Sequence, residues 1–184
     1  MGGRVPSPVH SKRCGAIEER IRMSAIGEAG RPRAFHTILV GGSIAGLLDG
    51  LDAVLYYRLA FAVPPALLFQ NIAAGLLGVR SFHEGWPTVG LGVALQFLIA
   101  IGAAGVYYVA SLFIPALFTK PWICGPGFGL GLYFFMHYVV VPLSAVPRRT
   151  VPVPMTELVD QLFSHAMFVG LPIALMARRS AEMR

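Results

Sequence analysis

From His36 onward the chain alternates long apolar runs with short polar or proline-rich breaks. The first run covers residues 36–62 and ends at Pro64 and Pro65, which cannot continue a helix. Next comes "VPPALLFQNIAAGLLGVR", residues 63–80, which carries Gln70 and Asn71. Its apolar stretch falls short of the about 20 residues that cross a bilayer, so an interfacial or re-entrant helix is expected there. Further long runs cover residues 89–113, 123–146 and 157–176. "SFHEGWP", "PALFTKPW" and "PRRTVPVP" separate them, with Trp86 and Trp122 placed for headgroup depth. The pattern predicts an all-α polytopic membrane protein: a four-span helical bundle plus one short interfacial or re-entrant helix.

Composition agrees. Hydrophobic residues make up 55% of the 184 residues and charged ones 13%, about half the charge of an average soluble domain. Between Gly85 and Pro147 the one charged residue is Lys120. Seven of the fifteen Lys/Arg lie before residue 34. With four spans and both termini inside, eleven basic residues fall on the inner side and four on the outer, as the positive-inside rule requires. A five-span alternative, in which residues 64–79 cross, gives ten against five. These counts point to cytoplasmic termini.

The net charge of +6 comes from the tail and the span ends, so nucleic acid is not an expected partner. Expected partners are the lipid bilayer and either a second copy or a larger membrane complex. Cys14 and Cys124 have no metal-ligand spacing and form no disulfide framework. The division expected is a basic, largely disordered tail over 1–35, a transmembrane domain over 36–178 and a short tail over 179–184. The first apolar run is too long, and lies too far in, for a secretory signal. A start at Met23 would leave the short leader "MSAIGEAGRPRAFH", so residues 1–22 are expected to be dispensable for the fold.

Gly42, Gly46 and Gly50 recur every fourth residue, as do Gly125 with Gly129 and Gly127 with Gly131. That spacing puts small groups on one helix face and lets backbones approach closely. The expected use is helix packing, within the chain ahead of between chains.

The candidate chemistry lies in "GGSIAGLLDGLDAVLYYRLA", residues 41–60. Asp49 and Asp52 share a helix face near the middle of the first span. An Asp at that depth costs about 2.5–3.5 kcal/mol on insertion scales. Two carboxylates there need a cation, a histidine, an arginine or a shared proton. Gln96, His137, His165 and Arg58 are the candidate partners in a polar intramembrane centre. Asp52 is the expected functional carboxylate and Asp49 its support.

The alternative is that these groups hydrogen-bond to one another and only fix helix register. No cofactor is expected, although Asp52, His137 and His165 are the ligand types that would suit a divalent metal. Ser43 with His165 outlines a serine hydrolase, but places its two groups at different depths. A phospholipid-synthesising phosphatidyltransferase would need further acids downstream of "DGLDA", and residues 60–83 contain none. Catalysis is therefore not the favoured reading. Two function classes stay open: a small proton- or cation-handling membrane protein, and a non-catalytic accessory or structural subunit.

The strings "GGSIAGLLDGLDA", "LLFQNIAAGLLG", "GVYYVASL", "YFFMHYVVVPLSAVP" and "VGLPIAL" resemble a group of small bacterial inner-membrane proteins of undefined biochemistry, the YagU-like proteins. The resemblance covers residues 37–178. It implies an inner-membrane location and assigns no catalytic residue.

Overall fold

The computed structural model describes residues 34–148, 152–180 and 182. The expectations for the basic tail and for Met23 lie outside the described residues. Among the described residues there is no strand, and four helices are long and apolar enough to cross a membrane: Ala34–Phe61, Trp86–Phe113, Pro121–Leu143 and Met155–Ser180. The chain is an all-α bundle. The edges fall within a few residues of those expected from the apolar runs, except that the last helix continues to Glu182.

Proline and glycine set the breaks. The first span belongs to α1 (Pro8–Phe61), which stops ahead of Pro64. Pro65 then opens α2 (Pro65–Leu77) from its first turn, where a missing N–H costs nothing. At 13 residues, α2 is about 20 Å long, well short of the about 30 Å of hydrocarbon. It is the short extra helix and not a fifth span. Gly78 and Gly85 adopt positive φ on either side of the 3₁₀ turn Gly78–Phe82. This reverses the chain into α3 (Trp86–Phe113), with Pro87 in its first turn. A one-turn α4 (Ala116–Thr119) leads to α5 (Pro121–Phe135).

Helix α2 lies against α3. A Cβ at Gly92 would overlap the Phe69 carbonyl, so the two backbones touch there. The turn between them is held by polar groups. Thr88 donates to the Ser81 carbonyl at 2.7 Å, and Gln70 donates to the Gly85 carbonyl at 3.2 Å. The amide of Ala145 donates to the Gly75 carbonyl at 3.0 Å, tying α2 to the end of the third span.

The third and fourth spans each contain a widened π turn. α5 passes through Met136–Val140 into α6 (Val141–Leu143). α7 (Met155–Ser164) passes through His165–Gly170 into α8 (Leu171–Glu182). In both, the residue after the wide turn is followed at once by a proline, Pro142 or Pro172. A proline lacks an N–H and crowds the carbonyl four residues back, so the preceding turn opens to an i→i+5 bond. Val141 accordingly donates to the Met136 carbonyl, and Leu171 to that of Ala166.

Small residues fill the core: Ala45, Ala103, Ala104, Val169, Ile173, Ala174 and Ala177, with Tyr107. Tyr107 is fully buried and satisfies its hydroxyl on the Leu117 carbonyl at 2.8 Å. The glycine spacing produces two backbone-close seams. A Cβ at Gly42 would overlap the Ile101 backbone, so α1 and α3 meet there. At the other seam, Gly125 and Gly129 face Gly170 and the His165 carbonyl. A Cβ at Gly46 would come within 3.1 Å of the Ala100 side chain, and one at Gly50 would only reach ordinary contact with Gln96. Gly127 and Gly131 were grouped with these by spacing, yet among the described residues a Cβ there would meet open space. Two residues further along a helix is the opposite face.

Candidate polar site within the bundle

Asp49 sits near the middle of the Ala34–Phe61 span. Its Oδ2 accepts a hydrogen bond from Gln96 Nε2 at 2.8 Å, and its Oδ1 accepts one from Ser164 Oγ at 3.0 Å. His165 Nδ1 lies 4.0 Å from the same Oδ1. One carboxylate thus joins three spans at mid-depth. His165 is the first residue of its π turn. Its Nδ1 pairs with the Gln161 carbonyl at 2.9 Å. A carbonyl only accepts, so Nδ1 donates this bond.

A further polar cluster continues from there towards the Met155 end of the bundle. Gln161 Nε2 donates to Tyr57 Oη at 2.9 Å and to Glu157 Oε1 at 3.3 Å. Tyr57 Oη donates to Glu157 Oε1 at 2.7 Å. Glu157 is 2% exposed, a carboxylate taken almost wholly out of solvent and held by hydrogen bonds. Gln161 bridges the two groups, with its carbonyl on His165 and its side chain on Tyr57 and Glu157.

Asp52 is turned elsewhere. It lines a shallow groove of ≈ 410 Å³ together with Leu55, Tyr56, Leu59, Ala60 and Asp160. Three residues of α-helix leave two side chains about 60° apart around the axis. That is enough to aim Asp49 into the bundle and Asp52 at the α1–α7 groove. The geometry therefore gives the interhelical role to Asp49, where the sequence reading favoured Asp52. Both Asp49 oxygens accept a hydrogen bond, from Gln96 and from Ser164.

Of the other candidates, Gln96 and His165 join Asp49. His137 does not. Its ring stacks on Tyr133 with centroids 5.7 Å apart, and Tyr133 also meets His165 edge-on at 5.4 Å. Arg58 is exposed and donates to the Ala62 carbonyl at 3.3 Å, capping the end of α1. Among the described residues no three His, Cys, Asp or Glu side chains gather closely enough to hold a metal ion. Asp52, His137 and His165 are thus not one coordination sphere. Ser43 stands six residues, about 9 Å of helix, from the Asp49 level, so Ser43 and His165 make no nucleophile–base pair.

Ser164, Gln161 and Tyr57 escaped the sequence reading. Ser164 and Gln161 lie in the string "DQLFSHAMF" beside His165, but their relevance depends on the register of α7 against α1. The one available signal was the i, i+4 spacing of Glu157, Gln161 and His165, which puts all three on one helix face.

Comparison with family models, with curated proteins and with solved structures finds no match.

Proposed function

We propose that this chain is a small proton- or cation-handling protein of a bacterial inner membrane, with both termini cytoplasmic. Asp49 is its mid-membrane carboxylate and His165 the neighbouring proton carrier. The observation that carries this reading is the 4.0 Å approach of His165 to an Asp49 that Gln96 and Ser164 hold in place. Ionisable groups within spans are expensive and mark ion or proton paths by default. Gln161, Tyr57 and Glu157 extend the polar series towards one end of the bundle. The other half is packed with alanine. The polar groups therefore lie in one half of the bundle and the alanine packing in the other. The strings shared in style with YagU-like proteins support the inner-membrane assignment and add no chemistry.

One observation favours a second reading, that of a structural or accessory subunit. Both oxygens of Asp49 are satisfied within the bundle, as a register pin would be. The discriminating experiment is proton flux into proteoliposomes loaded with a pH-sensitive dye, under a potassium-driven membrane potential, repeated with sodium and divalent-ion gradients. Flux above empty liposomes that Asp49→Asn abolishes is expected. Flux equal to empty liposomes under every gradient, or undiminished in Asp49→Asn, leaves the structural subunit.

A further inference from the structure

We infer that the protein associates as a two-fold dimer through the outward face of α1, with Arg58 of each copy meeting the Asp52–Asp160 groove of the other. The groove between α1 and α7 is open, and Asp52, Asp160 and Tyr56 line it. The Tyr56 hydroxyl is buried with no hydrogen-bond partner among the described residues. Lipid tails against this groove would leave two carboxylates facing hydrocarbon, which is costly. A cationic hydrogen-bond donor has to cover them.

The chain carries that donor at the matching height. Two hydrogen bonds fix the antiparallel register of α1 and α7: Asp49 with Ser164 and Tyr57 with Glu157. By that register Asp52 and Asp160 lie within about 3 Å of one level, and Arg58 lies nearer the end of the bundle, about 9 Å beyond Asp52 and about 7 Å beyond Asp160. A guanidinium spans such a drop. Arg58 cannot serve its own groove, because six residues separate it from Asp52 and place it about 120° around the helix.

Symmetry removes the difficulty. Leu55 lies midway between Asp52 and Arg58, about 60° from each. A two-fold axis along Leu55 sets the Asp52 flank of one copy beside the Arg58 flank of the other, the self-complementary arrangement of an isologous interface. The contact face is already spaced for it. Ile44, Leu48, Leu51, Leu55 and Leu59 are all exposed and recur at intervals of four, three, four and four. That is close to the seam of two parallel helices packed at a small crossing angle. This inference is independent of whether Asp49 handles protons.

The test uses the full chain in native membranes, with Cys14 and Cys124 replaced by Ser. Leu55→Cys should form a disulfide-linked dimer on oxidation. Leu98→Cys on α3, of similar exposure (65% against 60%), should not. Asp160→Asn and Arg58→Gln should each weaken dimerisation by about threefold to tenfold, the range of interhelical polar contacts in membranes. Arg58→Asp combined with Asp160→Arg should restore it. The unaltered protein in nanodiscs should show two copies by native mass. A single copy in nanodiscs, equal cross-linking at Leu98, or cross-linking of Leu55→Cys to a different protein overturns the proposal.

Discussion

Ser164 donates a hydrogen bond to Asp49 across 3.0 Å, joining the middle of the first span to the middle of the last. The same carboxylate takes a second bond from Gln96 on α3. Truncating Asp49 leaves the buried Ser164 hydroxyl and the half-buried Gln96 amide without an acceptor, and an unmet buried donor costs about 1–3 kcal/mol. Asp49→Ala should therefore lower unfolding free energy in mixed micelles by about that much per orphaned group. Asp52→Ala, at the open groove, should change monomer stability by less than about 1 kcal/mol. Equal losses for both variants would contradict the different placements of the two carboxylates.

Gly129 and Gly131 offer a sharper contrast, since they differ by two residues and point in opposite directions. A Cβ at Gly129 collides with the His165 carbonyl, and rigid backbone cannot swing aside. Overpacking of this kind costs about 1–3 kcal/mol. Gly129→Ala should lower the melting temperature in detergent by several degrees, whereas Gly131→Ala should leave it unchanged or slightly higher.

Pro172 tests whether the wide turn serves His165. Pro172→Ala supplies the missing N–H and removes the ring that crowds the turn. The His165–Gly170 segment should then tighten towards an ordinary α-helix and turn the imidazole relative to Asp49. Stability should stay level or rise while proton flux falls, and the histidine nitrogen resonances should shift. Unchanged flux with a tightened turn would separate the π turn from ion handling.

Four spans put the α2–α3 turn and the 147–154 loop on one side, with Lys120 on the other. In the Cys-free chain, Glu84→Cys and Pro152→Cys should react with an impermeant thiol reagent from the same face of the membrane. Lys120→Cys should react only from the opposite face. With cytoplasmic termini, the shared face of Glu84 and Pro152 is the periplasmic one. If α2 crossed, Glu84 and Pro152 would still share a face, but it would be the face that holds the N-terminus, with Lys120 opposite.

Much of the bundle was legible because the bilayer imposes its thickness on sequence. Runs of about 20 apolar residues and the prolines between them located every span, and α2 was too short to join them. The glycine seams were legible in part. Spacing by four identifies a shared face but not whether that face meets another helix, so Gly129 and Gly131 looked alike. The candidate site was harder. Asp49, Gln96 and His165 stand out as polar groups in apolar runs. Which of Asp49 and Asp52 faces inward depends on the rotation of α1 about its axis. The link through Ser164 and Gln161 depends on the sliding register of α7 against α1. Both are set by small residues at the contacts, far from the carboxylates themselves. The wide turns had a local cause in Pro142 and Pro172, readable as helix perturbation though not as its form.

The alanine-rich half of the bundle has an electrical meaning. Ala45, Ala103, Ala104, Ala174 and Ala177 are buried in one apolar cluster, so this half is the less polarisable of the two. The polar half, with Gln161, Tyr57 and Glu157, is the better conductor. A transmembrane voltage therefore drops mainly across the alanine layer, and each elementary charge carried through it changes in energy by up to about 2.3 kcal/mol per 100 mV. On the proposed function, a proton reaching Asp49 from the Glu157 end would cross only a small fraction of the field, and its binding from that side would be nearly independent of voltage. Any onward passage towards the Lys120 side would carry most of the electrical work.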